Sequence, residues 1–170
     1  YNTSDVVYLI MPDRFSNGDP ANDNMPGYPE QSNRQDPNGR HGGDLAGIIN
    51  HLDYVAQTGF TAIWLNPVLE NNQKAFTYHG YAISDFYKVD PRYGTNNEYV
   101  NFVDKAHEKG LKVIMDMIFN HCGSANSFYT YLPMKNWVHQ FEQFTRSNFR
   151  APVIPSPYTS EYDKNLMLAG

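Results

Sequence analysis

The 170-residue sequence predicts an α/β fold with a parallel sheet. Three short apolar segments alternate with two amphipathic ones, in the order strand, helix, strand, helix, strand. The strand segments are apolar almost throughout, which is typical of parallel strands buried on both faces. The first two strands are each followed by a long polar segment, whereas the returns from helix to strand are short. In α/β folds, the segments that follow the strands carry the functional site.

The first half of the predicted fold contains one strand, one long loop and one helix. Val6–Met11 is rich in β-branched and other apolar residues, which predicts a buried strand. Residues 12–43 are rich in Pro, Gly, Asn and Asp and are predicted to form a loop, and long loops inside compact domains are usually functional. Asp44 is a good N-cap, and apolar residues at helical spacing after it predict a helix that Gly59 ends.

The second half repeats this pattern and then departs from it. Thr61–Leu65 is predicted to be the second strand, and residues 66–94 the loop that follows it. Thr95 and Glu98 have the spacing of a capping box and predict the start of the second helix. Lys112–Phe119 is predicted to be the third strand, interrupted only by one aspartate. The remaining residues break the alternation and are predicted to be irregular.

Composition excludes several classes of function. Lys and Arg total 13 against 18 Asp and Glu, which gives a net charge of −5 and argues against a basic surface for nucleic acid. The single cysteine, Cys122, excludes an internal disulfide framework and a thiolate metal cluster. No apolar run approaches the roughly 20 residues that span a bilayer. The 25 aromatic residues (13 Tyr, 10 Phe and 2 Trp) suit sugar stacking, but they are equally suited to a core.

The first long loop contains a cluster of candidate oxygen ligands. It is joined by a Gly-Gly-Asp segment further along, and the candidates are Asn17, Asp19, Asn22, Asp23, Gly42 and Asp44. Calcium takes about 6–8 oxygen ligands of this kind. The same residues are also common in solvated turns, and their order does not match an EF-hand. Spacing alone therefore leaves both interpretations open.

Two further clusters follow the second and third strands. The segment from Tyr78 to Tyr81 contains an imidazole and two phenols, which can hydrogen-bond hydroxyl groups and stack on a sugar ring, or can pack beneath the loop. Asp116 lies in an apolar strand and needs a partner, since an unpaired buried carboxylate costs several kcal/mol. We expect it to orient other groups rather than to react. Asn120 and His121 fall at the end of that strand, where ligands bind in such folds.

These clusters together resemble the α-amylase family of glycoside hydrolases, in its cyclomaltodextrinase and neopullulanase branch. The similar segments occur in the family's order and are Val7–Tyr8 with Pro12–Asp19, Gly42–Ile48, Gly59–Pro67, His79–Tyr81, Asp90–Thr95 and Lys112–Asp116 with Asn120–His121. The tail resembles the same branch at Leu132–Pro133, Asn136–Trp137, Pro157–Tyr158 and Glu161–Asp163. No single segment is decisive, but a chance match of all of them in order is very improbable.

The resemblance implies a (β/α)8 TIM barrel, of which this chain would form the first three strand–helix steps. Residues 1–121 would be the N-terminal part of the catalytic barrel, and residues 122–170 the start of the subdomain inserted after strand three. The family's catalytic motifs are an Arg-x-Asp on strand four, a Glu on strand five and a His-Asp pair after strand seven, and these are absent here. The nucleophile and the acid/base are therefore expected beyond Gly170.

The resemblance also implies roles for individual residues. The activity would be retaining hydrolysis of α-glucosidic bonds in maltodextrins, cyclodextrins or pullulan. Tyr81 would stack under the sugar at the cleavage subsite, His79 and His121 would hydrogen-bond its hydroxyls, and Asp116 would hold part of that network. Asn120 matches a ligand of a second calcium ion found in many relatives, but the cyclomaltodextrinase branch often lacks that site. The calcium ion typical of this branch would be bound by Asn17, Asp19, Asn22, Asp23, the Gly42 carbonyl and Asp44.

Two other functions are weighed against this hydrolase. One is a non-catalytic carbohydrate-binding fragment that uses the same tyrosine and histidines. The other is a nucleotide-binding doubly wound sheet, which needs a glycine-rich loop where Pro12–Phe15 stands. The expected partners are an α-glucan oligosaccharide and the remainder of the barrel, which would cover the open sheet. A homo-oligomer is possible, and no nucleic acid or membrane span is expected.

Overall fold

The computed structural model describes residues 1–138, 141–143, 158, 160–162 and 165. Two compact units are present: Tyr1–Met134 and a second that begins at Lys135. The predicted boundary after residue 121 stays a prediction. The strands and α-helices of the first unit are, in chain order, β1 (Val7–Ile10), α1 (Pro12–Phe15), α2 (Leu45–Ile49), α3 (Leu52–Gln57), β2 (Ala62–Leu65), β3 (Leu69–Glu70), β4 (Asp85–Val89), α4 (Asn96–Glu108), β5 (Lys112–Met115) and α5 (Ser127–Thr130).

The centre of the first unit is a parallel sheet in the order β1-β2-β5. Ile10 lies opposite Leu65, and Leu65 lies opposite Met115, so the three strands end at the same level. The predicted parallel α/β sheet is confirmed. Because the carboxyl ends are level, the segments that follow the strands leave from one edge of the sheet.

The third strand is shorter than its sequence predicts. Lys112–Phe119 is predicted, whereas β5 ends at Met115 and Asp116 lies just outside it. The neighbouring strand β2 ends at Leu65 and is followed by Asn66 and Pro67. Proline cannot donate to a ladder, so the pairing ends where β2 ends.

The first predicted helix is broken into α2 and α3. Both predicted ends are confirmed, because Asp44 accepts a hydrogen bond from the Gly47 N–H and Gly59 adopts the left-handed conformation with a φ of 91°. The break occurs at His51, whose Nδ1 is 2.7 Å from the Gly47 carbonyl oxygen. That carbonyl would otherwise accept from the His51 N–H, which donates to Ile48 instead. A local side-chain bond thus replaces one rung of the helix.

The second predicted helix begins as its sequence predicts. The Glu98 N–H donates to the Thr95 hydroxyl at 3.2 Å, and the Thr95 N–H donates to the Glu98 carboxylate at 2.7 Å. Buried residues of α2, α3 and α4 pack with buried residues of the strands in one apolar cluster of the described residues. Its members are Ile10, Leu45, Ile48, Leu52, Val55, Ile63, Leu65, Val68, Val89, Tyr93, Phe102, Ala106 and Leu111.

The two segments predicted as loops contain short regular elements. The first includes α1 and a 3-10 turn at Pro20–Asn22. The second includes a 3-10 turn at Thr77–His79 and the antiparallel pair of β3 and β4, which the sequence pattern does not predict. In the tail, α5 is followed by a 3-10 turn at Lys135–Trp137, and most residues after Trp137 lie outside the described part of the chain.

The other face of the sheet is open to solvent. Leu9 is 59% exposed and Trp64, its neighbour across the β1–β2 pairing, is 41% exposed. An exposed apolar face is what three strands of a barrel leave when the remainder of the barrel does not cover them. Among the described residues, no helix has the length and apolar character needed to cross a membrane.

Candidate functional site

The chemistry-bearing residues after β2 and β5 meet at the carboxyl edge of the sheet. Tyr81 Oη donates to Asp116 Oδ2 at 2.9 Å, and Trp64 Nε1 donates to the same oxygen at 3.2 Å. The Asp116 carboxylate is half-buried, and one of its two oxygens accepts both hydrogen bonds. The predicted role of Asp116 in orienting other groups stays a prediction. Burial, together with the Asp116 carboxylate, raises the pKa of Tyr81, so its hydroxyl stays protonated and donates.

Two histidines flank Tyr81. The Tyr81 N–H donates to His79 Nδ1 at 2.9 Å, and His121 Nε2 lies 2.9 Å from the Tyr81 carbonyl oxygen. Because Nδ1 of His79 accepts, its neutral ring carries the proton on Nε2, while His121 must carry a proton on the Nε2 that faces a carbonyl. Burial lowers the pKa of His79 and favours this neutral form. The predicted binding residues His79, Tyr81, Asp116 and His121, hereafter the Asp116 cluster, are thus brought together.

The turn before Tyr81 is held by backbone contacts. Asn66, at the end of β2, donates to the His79 carbonyl at 3.3 Å. Gly80 has a φ of 85°, and a side chain there would have its Cβ 2.1 Å from the Pro67 carbonyl oxygen. Glycine is therefore required between His79 and Tyr81. Beneath the turn, the Tyr93 hydroxyl donates to the Tyr78 carbonyl at 2.9 Å.

Trp64 and Asn66 belong to this site but were not among the predicted site residues. Both lie in a segment that the resemblance includes. Trp64 lies opposite Ile114, two residues before Asp116, and alternation places Trp64 and Asp116 on the same face. This signal becomes readable only when the pairing of β2 with β5 is known.

The predicted oxygen ligands also meet, although they come from separate parts of the chain. Asp44 caps α2 through the Gly47 N–H at 2.6 Å and accepts the N–H groups of Gly18 and Asp19, the latter at 2.8 Å. Asn17 Nδ2 donates to Asp23 Oδ1 at 2.7 Å. The residues Asn17, Asp19, Asn22, Asp23, Gly42 and Asp44 are hereafter the Asp44 cluster.

The Asp44 cluster has oxygens suited to a hard cation. The side-chain oxygens Oδ1 of Asn17 and Asn22 are buried, and no hydrogen-bond donor within the described part of the chain reaches them. Such atoms are rare in folded proteins, and an oxygen-coordinated ion satisfies them. Burial, with repulsion from Asp44, raises the pKa of Asp23 despite its bond to Asn17, and a cation would relieve this. The residues present therefore fit calcium.

The types of ligand atom in the Asp44 cluster favour calcium over softer metals. No three His, Cys, Asp or Glu side chains in the described ranges are placed to hold a metal together. A cation here would depend on amide and main-chain oxygens as well as carboxylates, which calcium accepts and softer metals do not prefer.

Gly42 lies close against this cluster. It has a φ of 82°, and a Cβ at this position would lie only 2.4 Å from Asp23 Oδ1.

Asp13 fixes Gly42 against the cluster and was not among the predicted site residues. Its buried carboxylate accepts the His41 N–H at 2.9 Å and the Gly42 N–H at 3.3 Å, and its carbonyl accepts the Gly43 N–H at 2.9 Å. Asp13 follows β1, so the end of the first strand is tied directly to the Asp44 cluster.

Comparison with known proteins decides the family. Residues 9–163 match the model of the α-amylase catalytic domain. The chain belongs to the alpha-amylase family. A beta/alpha-amylase of Paenibacillus polymyxa is 50% identical over 117 residues, and a cyclomaltodextrinase of Geobacillus thermopakistaniensis is 42% identical over 118 residues. These alignments each cover 69% of this chain, but only 10% and 19% of the two proteins.

Solved structures of alpha-amylase family members confirm the fold. An Anoxybacillus alpha-amylase is 42% identical with a TM-score of 0.72, covering 81% of this chain and 28% of that one. An alpha-amylase of Geobacillus thermoleovorans, in complex with acarbose, is 39% identical with a TM-score of 0.68, covering 85% and 29%. The three parallel strands are therefore part of a (β/α)8 barrel. The chain spans between a tenth and a fifth of the first curated relatives.

Proposed function

We propose that this chain is the N-terminal barrel portion of an enzyme that hydrolyses α-glucosidic bonds in maltodextrins, cyclodextrins or pullulan. The observation that carries the proposal is the Asp116 cluster, in which one carboxylate connects Tyr81 and Trp64 at the carboxyl edge of the sheet. Family membership adds support, since relatives include proteins named cyclomaltodextrinase and neopullulanase.

The Asp116 cluster supplies what a sugar ring needs for binding. Tyr81 is 38% exposed, and its ring offers an apolar face to the C–H groups of a pyranose. His79 presents an Nε2–H that donates to a sugar hydroxyl, because its Nδ1 is occupied by the Tyr81 N–H. His121 fixes the backbone of Tyr81 and reaches the same edge. Contacts of this kind accelerate hydrolysis when they strengthen as the ring distorts toward the transition state.

The bond-breaking step requires groups beyond those assigned to this cluster. Retaining glycosidases use two carboxyl groups about 5–5.5 Å apart, one as nucleophile and one as acid/base. We assign both to the part of the protein outside these residues, in line with the small share of each relative that the chain covers. Asp116 is committed to two neutral donors and serves as an orienting group. That remainder of the barrel would also cover the open face that carries Leu9 and Trp64.

A calcium ion is part of the proposal. Its proposed ligands are Asn17, Asp19, Asn22, Asp23, the Gly42 carbonyl and Asp44. The main support is the buried amide oxygens of Asn17 and Asn22, because no three carboxylates of the described residues are placed together around an ion. When bound, the ion supplies positive charge that neutralises the crowded carboxylates. Asp44 simultaneously caps α2, so the cluster fixes the first long loop to the first helix of the barrel.

The experiment is product analysis with the full-length protein that contains this chain. Maltohexaose, a cyclodextrin and pullulan serve as substrates, and a β-linked glucan serves as the negative control. We expect α-glucans alone to be cleaved, and Tyr81→Ala to reduce kcat/KM strongly while Tyr87→Ala, which removes an 83% exposed ring elsewhere, does not. Binding of maltohexaose without cleavage would support a carbohydrate-binding protein instead, and neither binding nor cleavage would refute the proposal.

A further inference from the structure

A carboxylate from the first long loop holds the turn that leads to Tyr81. Glu30 Oε1 accepts the Phe76 N–H at 3.0 Å, and Oε2 accepts the Thr77 N–H at 2.7 Å. Glu30 and Thr77 are 47 residues apart in the chain. Both oxygens of one half-buried carboxylate are therefore used on two consecutive backbone donors. Hydrogen bonds to a charged acceptor are the stronger kind.

The turn needs such an external support. Phe76 has a φ of 60° and a ψ of 29°, and it is the non-glycine residue with positive φ in the described part of the chain. The left-handed conformation is sterically unfavourable for an aromatic residue. The Phe76 side chain is 58% exposed, so burial of its ring does not compensate for this conformation. Glu30 instead binds the N–H groups on both sides of the Phe76 Cα, its own and that of Thr77.

Glu30 is itself fixed to the body of the first unit. Arg92 Nη1 donates to the Glu30 carbonyl at 3.3 Å, and Arg92 is fully buried in an ion pair of 2.8 Å with Asp90. The guanidinium of Arg92 also lies over the ring of Tyr28, 4.7 Å from its centroid. The core thus fixes the backbone of Glu30, and the carboxylate reaches the turn from there.

The consequence falls on the Asp116 cluster. Thr77 is fully buried and begins the 3-10 turn that ends at His79, and Gly80 and Tyr81 follow at once. A tilt of this turn would move the His79 ring and the Tyr81 backbone together, since the two are hydrogen-bonded. We propose that Glu30 is a positioning residue that orients His79 and Tyr81 for the sugar. This inference rests on the proposed function.

A double-mutant cycle in the full-length protein tests this role. Glu30→Gln retains the size of the side chain but loses its charge and one acceptor oxygen. We expect it to lower kcat/KM for maltohexaose about tenfold, because one charge-assisted hydrogen bond to the turn is lost. In the Tyr81→Ala background the same change should lower kcat/KM by clearly less than tenfold, because one of the two groups that Glu30 positions is gone and only His79 remains. Glu108→Gln, at an exposed ion pair with Lys105, is the matched control and should leave kcat/KM unchanged.

The possible outcomes separate the two proposals. Equal losses in both backgrounds would overturn the role of Glu30 and indicate a merely structural brace. An unchanged kcat/KM in Glu30→Gln alone would overturn it as well. An unchanged kcat/KM in Tyr81→Ala alone would instead overturn the proposed function. If Glu30→Gln does not fold, Glu30→Asp, which keeps the charge but shortens the reach, replaces it in the same cycle with the same expected results.

Discussion

Replacing Gly42 by alanine tests the Asp44 cluster in the most specific way. The new Cβ would lie 2.4 Å from Asp23 Oδ1 and 3.0 Å from Asn17 Nδ2, distances that force the Asp23 carboxylate away. The left-handed φ of 82° adds a backbone cost of about 1–2 kcal/mol. Gly27→Ala is the matched control, because Gly27 has a φ of 83° and no atom within 4 Å of its Cβ position. Both variants bear the backbone cost, and only Gly42→Ala disturbs the proposed ligands.

The magnitude follows from linkage between binding and folding. An ion that binds only the folded state, at 100 times its Kd, stabilises it by about 2.7 kcal/mol. Urea unfolding of the full-length protein, with calcium or with a chelator, measures this increment. We expect it in the unmodified protein and in Gly27→Ala, and we expect it to be lost or strongly reduced in Gly42→Ala. An equal increment in the two variants would refute the assignment of the ligands, and no increment in the unmodified protein would refute the calcium site.

Two further predictions concern stability and pH. Asp90→Asn leaves Arg92 buried without its anion and should lower the free energy of unfolding in urea by about 3–5 kcal/mol. The control Glu108→Gln, at an exposed ion pair, should lower it by less than about 0.5 kcal/mol. Similar losses in the two variants would contradict the contribution of the buried pair. Although burial opposes it, Arg92 lowers the pKa of Asp90, so this stability is present above pH 3.8 and is lost as pH falls through the lowered value. Burial lowers the pKa of His79, so its ring stays neutral and the affinity for maltohexaose should persist as pH falls through 6.5. The affinity should decline only at a pH below 6.5. A decline centred above pH 6.5 would contradict the neutral ring that accepts the Tyr81 N–H.

The sequence predicts the elements whose signals are local. The capping box of Thr95 and Glu98, the Asp44 cap and the alternation of strands with helices are all readable within a few residues, and all are confirmed. The break at His51 escaped prediction because it depends on one ring nitrogen bonding a carbonyl, which no apolar periodicity reveals. The end of β5 escaped because it is set by the partner strand, through Pro67.

The residues of the candidate site likewise divide into those with a local sequence signal and those whose role depends on distant contacts. His79, Tyr81 and His121 could be identified because each stands in a short recognisable segment, and the structure brings them together. Trp64 and Glu30 could not, because their roles arise from contacts across 52 and 47 residues of chain. Residue types at a given spacing indicate candidate ligands, whereas supporting groups become visible only when the strand register and loop packing are known.

A crystal structure of the full-length protein with a bound maltooligosaccharide tests the central claim most directly. We predict one glucose ring stacked on Tyr81, with hydroxyl groups within hydrogen-bond distance of His79 and His121. A sugar bound away from the carboxyl edge of β2 and β5, or Tyr81 and His121 opening onto different surfaces, would contradict the account.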